Sequence, residues 1–132
     1  MIDTPHHSSV EDQTDRNTIL VVEDDQAVGS MLVLTLLLES PYQALLATDG
    51  FQALQMVHDL KPSLFLVDYQ LPGMDGIALY DRLHAITNLA AIHAIIISAN
   101  LPARALQGRH LTGVAKPLEV DQLLHTIAHL LA

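Results

Sequence analysis

Acids, a hydroxyl and an ammonium stand at the ends of short apolar runs in this chain. Glu23-Asp24-Asp25 follows Thr18–Val22, Asp68 follows Ser63–Val67, Ser98 follows His93–Ile97, and Lys116 follows Thr112–Ala115. Carboxylates held within a few ångströms of one another repel, so one is driven neutral unless a cation joins them. Hard oxygen ligands with open positions suit Mg²⁺, which keeps several waters and accepts phosphate oxygens. A carboxylate, with a reference pKa of roughly 4, is ionised at neutral pH. It attacks phosphorus once metal and lysine neutralise the phosphoryl charge. Ser98 can donate to a phosphoryl oxygen, and Lys116 supplies a second positive charge. The chemistry these residue types point to is phosphoryl transfer onto a carboxylate.

That chemistry needs one fold to bring the four stations together. The strand candidates Thr18–Val22, Gln43–Ala47, Ser63–Val67, His93–Ile97 and Thr112–Ala115 are short and nearly continuously apolar, the pattern of strands buried on both faces. Helical patterns alternate with them, at Gln26–Leu38, Phe51–His58, Gly76–Ile86, a short Leu101–Leu106 and Leu118–Leu131. On the last, Leu123, Leu124, Ile127 and Leu131 share the inward face. Five βα units predict an α/β domain with a parallel sheet covered on both faces. In such a sheet, ligands bind beyond the carboxyl ends of the strands, where strand order reverses. Residues 1–17 read as a disordered arm with no period and no bulky core residues, and 18–132 as one domain.

Composition narrows the function classes. The chain has 132 residues, half of them apolar, enough for one core without staples. It has no cysteine, which removes disulfides, thiolate catalysis and cysteine–zinc sites. Its formal charge is −9 with only six Lys and Arg, scattered, which argues against direct nucleic-acid binding. The polar N-terminus lacks a signal core. The longest apolar stretch, Met31–Leu38, falls well short of the roughly 20 residues of a membrane span, so a cytoplasmic location is expected.

Each feature also has a plain structural reading. The acids at 23–25 could simply cap the following helix, and Asp25 fits that role alone. Lys116 could be a surface lysine before a turn proline, and Ser98 a strand-end hydroxyl. Asp121, His125 and His129 recur at one-turn spacing, as a metal face or a solvated face would.

Order and spacing together carry a resemblance. The acid pair after the first strand, the Asp-x-x-x-Pro-x-x-x-Gly run from Asp68 to Gly76, Ser98-Ala99 and Lys116-Pro117 resemble the motifs of two-component response regulator receiver domains. The separations of 44 positions from Asp24 to Asp68 and 30 from Asp68 to Ser98 fit that family as well. The resemblance covers nearly everything after residue 17 and implies a flavodoxin-like strand order, 2-1-3-4-5. It implies Asp68 as the phosphorylated residue. Asp24, Glu23 through water, Asp68 and the Gln70 backbone carbonyl would hold Mg²⁺, which Mn²⁺ could replace. Ser98 and Lys116 would steady the phosphoryl group, and the Lys116–Pro117 bond would be cis. The implied partners are a sensor histidine kinase or a histidine phosphotransfer protein upstream, and a protein target or a second copy downstream. The chain would turn over no outside substrate beyond its own phosphorylation and dephosphorylation, and no output domain is expected to follow the last helix.

Two departures bear on output. The family usually places Tyr or Phe three residues before the lysine, and here that position is Gly113. Ser98 and Lys116 are separated by 18 positions, about four fewer than usual in the family, so the fourth helix is expected to be about one turn short. Both changes fall on the face the family commonly uses for output. On the first helix, Val33, Leu34 and Leu37 offer a candidate interface, because Met31–Leu38 is apolar nearly all round. Two other functions compete. A pseudo-receiver scaffold would be marked by a lost site residue, and all are present. A Mg²⁺-dependent aspartyl phosphatase would carry Asp-x-Asp after its first strand, whereas Asp68-Tyr69-Gln70 has no second acid.

Overall fold

The computed structural model describes residues 17–132, so the arm expected over residues 1–17 lies, but for Asn17, outside the described residues. The apolar runs become five parallel strands: β1 (Thr18–Val22), β2 (Gln43–Ala47), β3 (Leu64–Asp68), β4 (His93–Ser98) and β5 (Leu111–Ala115). Their order is β2-β1-β3-β4-β5, the flavodoxin-like arrangement. β1 and β3 are neighbours, and the chain leaves them in opposite directions across the sheet, so a crevice opens at their carboxyl ends.

Four α-helices cover the sheet: α1 (Gln26–Glu39), α2 (Gly50–Met56), α3 (Gly76–His84) and α4 (Val120–Leu131). Strand residues alternate between two cores because successive side chains point to opposite faces. Ile19, Val21, Leu64, Leu66 and Ile95 pack under α1 and α4 with Leu32, Leu36, Leu123 and Ile127. Leu20, Val22, Phe65, Val67 and Ile96 pack under α2 and α3 with Ala53, Leu79 and Leu83. Leu124 and Leu131, expected to face inward, are partly buried against the first of these cores.

The expected fourth helix is not an α-helix. Ala103–Leu106 makes one 3-10 turn. Pro102 sits just before it, and Gly108 follows at a φ of +71°. Too few residues lie between these two breakers for a stable helix.

Capping acids begin three helices. Asp25 accepts from Ala27 N (3.0 Å) and Val28 N (3.1 Å), Asp49 from Gln52 N and Asp75 from Ala78 N. Asp25→Ala should therefore cost about 1 kcal/mol of stability. The cap role and the site role separate in one comparison: melting temperature should fall while phosphoryl uptake persists. Loss of uptake would give Asp25 a part in the chemistry.

Candidate functional site

The crevice at the carboxyl ends of β1 and β3 is a cleft of about 680 Å³. Glu23, Asp24, Asp68, Gln70, Lys116 and Pro117 line it. One oxygen each from Glu23, Asp24 and Asp68 lies within 4.8 Å of the others. Among the described residues this is the one such group, so Asp121, His125 and His129 do not form a second.

Sheet register sets the placement. Val22 pairs with Val67 across β1 and β3, so the residues that follow each strand emerge side by side. Asp68 is 6 % exposed, on the last position of a fully buried strand. Lys116 Nζ approaches its Oδ1 to 3.1 Å. That approach is off the direction of a hydrogen bond, and Oδ1 accepts none among the described residues. A buried carboxylate oxygen left without a hydrogen bond is costly unless something else meets it. A hard cation held by three carboxylate oxygens would do so, and the donor set fits Mg²⁺.

The loop after Asp68 is shaped by a close approach. Gly76 N donates to Tyr69 O at 2.8 Å, folding the Asp-x-x-x-Pro-x-x-x-Gly run back on itself. A Cβ on Gly76 would meet Asp68 O at 2.9 Å and Tyr69 Cα at 3.0 Å, both backbone atoms that cannot yield. The glycine is therefore what lets α3 start against the end of β3. The Lys116–Pro117 bond is cis.

Glu23 is also buried, and its carboxyl is pushed up to about 7. Burial is the largest cause; a hydrogen bond from Asp25 N at 3.1 Å opposes it, and the negative charges of Asp68 and Asp24 add to it. The folded state therefore binds this proton more tightly than the unfolded chain does. Its contribution to stability is full below about pH 4.5 and is lost as pH rises through about 7. His93 runs the other way, because burial and then the nearby His110 and His84 hold it below the ordinary histidine value. Comparison with Glu23→Gln removes that background. In a chelator, wild-type melting temperature should fall relative to Glu23→Gln between pH 5 and 7.5, and added Mg²⁺ should shrink the difference. Parallel pH curves would refute this assignment.

Ser98 stands apart from the cleft. It is 7 % exposed, and its Oγ accepts from Asn100 N at 3.0 Å. It lines a neighbouring hollow of about 280 Å³ with Leu101, Leu106 and Gly113. The physical reason lies in the register: Ile97, not Ser98, pairs with Asp68, so Ser98 leaves β4 on the opposite face. A Cβ on Gly113 would meet Leu101 Cδ2 at 3.2 Å and Leu106 Cδ2 at 3.8 Å. Two leucines thus lean over the position where a larger side chain would stand.

Sequence reasoning missed the apolar rim of the cleft: Val28, Leu32, Leu71, Pro72, Ile97 and Leu118. A signal was present, since Leu71-Pro72 sits inside the Asp68 run and Leu118 follows Lys116-Pro117.

Comparison with known proteins agrees with this geometry. The response regulator receiver domain family matches residues 19–128. Sporulation initiation phosphotransferase F of Bacillus subtilis is 32 % identical over 111 residues, covering 81 % of this chain and 88 % of that protein. A putative response regulator from Chloroflexus aurantiacus superposes with a TM-score of 0.78 at 28 % identity, over 89 % of this chain and 98 % of the other. The chemotaxis response regulator CheY4 of Vibrio cholerae shares the fold, with a TM-score of 0.78 at 19 % identity, over 87 % and 98 %. With the family's motifs on four strand ends of the family's fold, the chain belongs to the response regulator receiver domains of two-component signalling.

Proposed function

We propose that Asp68 accepts a phosphoryl group from a phosphohistidine, with Mg²⁺ bound by Glu23, Asp24, Asp68 and the Gln70 carbonyl. The observation that carries this is Asp68 Oδ1, buried, accepting no hydrogen bond among the described residues, 3.1 Å from the Lys116 ammonium and beside two more acids. When bound, the metal ion supplies positive charge against the phosphoryl oxygens. A carboxylate oxygen of Asp68 forms the new bond to phosphorus while the bond to the donor imidazole nitrogen breaks. The imidazole leaves with the electron pair of that bond, as neutral imidazole when its other ring nitrogen carries a proton. Lys116 follows the charge from carboxylate to acyl phosphate. Ser98 reaches a phosphoryl oxygen only by swinging its hydroxyl over the end of β4, away from Asn100 N.

The donor is a sensor histidine kinase or a histidine phosphotransfer protein, and the location is cytoplasmic. No helix among the described residues is long and apolar enough to cross a membrane. The product leaves as a change of contact surface, not as a released molecule, so the protein has no outside substrate. Because Leu101 and Leu106 cover Gly113, the output does not run through an inward-swinging ring at that position. Amide NMR shifts with and without a phosphoryl mimic should change little around 101–115; a large ordered rearrangement there would oppose this part of the reading.

Incubation with a phosphohistidine-bearing phosphotransfer domain tests the transfer itself. Phosphohistidine should disappear as acyl phosphate appears on this chain, in a Mg²⁺-dependent way. A donor signal that decays only to inorganic phosphate, at the rate seen without this protein, would refute the proposal.

A further inference from the structure

Gln70, whose carbonyl is a proposed Mg²⁺ ligand, sits in the loop that runs from Asp68 to α3. That loop is tied at its base, where Gly76 N donates to Tyr69 O. Between the two, residues 70–74 take part in no backbone–backbone hydrogen bond among the described residues. Leu71 and Met74 turn to the core under α2 and α3, while Gln70, Pro72 and Gly73 stay exposed. Gly73 has a φ of +78°. Glycine populates both signs of φ about equally, so it leaves that conformation at little cost. The outer side of the loop therefore needs packing to hold it in place.

A ring from the start of α2 supplies that packing. A Cβ on Gly73 would meet Phe51 Cε2 at 3.1 Å and Cζ at 3.8 Å, so the ring lies where a side chain on Gly73 would stand. The contact is returned next to it. A Cβ on Gly50 would meet Met74 Sδ at 3.2 Å and Cε at 3.5 Å. Gly50 and Phe51 on one side thus clasp Gly73 and Met74 on the other. The base of the clasp is firm: Asp49 accepts from Gln52 N at 2.7 Å, and Ala53 is fully buried. Phe51 itself does not line the acidic cleft, whereas Gln70, Leu71 and Pro72 do.

We infer that Phe51 is a positioning residue for the metal site: its ring pins the left-handed turn at Gly73 and so holds Gln70 at the rim of the cleft. The inference rests on the proposed Mg²⁺ site and adds the part of the fold that keeps one ligand in place before the ion arrives. A ligand already held by folding binds more tightly, because its ordering is not charged to the binding step. Gln70 is suited to such control. It stands between the tied base at Tyr69 and the pinned turn at Gly73, so freeing the turn frees the segment that carries it.

Calorimetric titration with Mg²⁺ of the wild type, Phe51→Ala and Phe51→Tyr tests this, with amide NMR relaxation of the metal-free proteins beside it. Phe51 is 55 % exposed, so its truncation leaves the core filled and circular dichroism should stay native. Phe51→Ala should raise the Mg²⁺ dissociation constant by roughly tenfold, the low end for a residue that orients a metal ligand from behind. Without metal, the amides of Gln70, Leu71 and Gly73 should lose order in Phe51→Ala while those of the strands keep theirs. Phe51→Tyr keeps a ring on Gly73 and should restore both affinity and order. Wild-type affinity and unchanged loop order in Phe51→Ala would overturn the inference and leave the metal site standing. Equal loss of affinity in Phe51→Ala and Phe51→Tyr would overturn the role of the ring. A wild type that takes up no Mg²⁺ would overturn the metal site, and the role of Phe51 with it.

Discussion

Asp68→Asn is expected to take phosphoryl uptake to zero while the fold stands. Among the described residues, the side chain is the only lining acid of the cleft that is both buried and within reach of the Lys116 ammonium. Asparagine keeps its shape but offers an amide, which is no nucleophile towards phosphorus at neutral pH. Two further consequences separate this variant from one that has merely unfolded. Asp68 is among the negative charges that raise the Glu23 carboxyl, so Glu23 should titrate below about 7 once that charge is gone. Mg²⁺ affinity should fall as well, because one of the three carboxylates proposed to hold the ion has become a neutral oxygen. Circular dichroism, a carboxyl-detected NMR titration and intact mass read all three. Phosphoryl uptake persisting in Asp68→Asn would move the acceptor to another residue.

Lys116→Ala is expected to have the second largest effect, and on two quantities of opposite metal dependence. Lys116 is the one cation lining the acidic cleft among the described residues. It is 41 % exposed at its side chain, so its pairing with Asp68 is partly screened and contributes modestly to stability. Its removal still leaves three acids together with no positive neighbour. Metal-free protein should melt lower than wild type, and Mg²⁺ should recover most of the loss. The rate of phosphoryl uptake should drop by about 10²–10³-fold, the usual cost of deleting one preorganised charge partner of a transition state. Lys116→Arg should restore the metal-free melting temperature more fully than the rate. Arginine restores the charge, but its planar fork is a poor copy of a compact ammonium. Equal loss in Lys116→Ala and Lys116→Arg would place the effect in packing rather than charge.

The sheet was legible because its strands are buried on both faces. Runs such as Ile19–Val22 and Leu64–Val67 have no polar alternation to confuse with a surface helix, and their ends matched the strands to within a residue. The acid cluster was legible because strand ends deliver the residue that follows them, and Glu23, Asp24 and Asp68 do follow β1 or end β3. The fourth helix was not legible. Its shortening was read from spacing, but only the chain geometry around Pro102 and Gly108 reduces it to a single 3-10 turn. Nor could the sequence place Ser98 on the opposite face from Asp68, since that depends on which β4 residue pairs with β3. On α1 the uniform apolarity hid the direction of burial. The sequence alone could not distinguish Val33, which packs inward, from Leu34, which does not.

On the proposal above, three acids and a lysine form a Mg²⁺-dependent phosphoryl acceptor. Intact mass of the wild-type chain after incubation with a small phosphodonor such as acetyl phosphate, with and without Mg²⁺, tests it most directly. A single phosphoryl gain is expected with Mg²⁺, none in a chelator, and a return to the starting mass once the donor is removed. No gain in the presence of both donor and Mg²⁺ would contradict it and leave a receiver fold that acts as a scaffold.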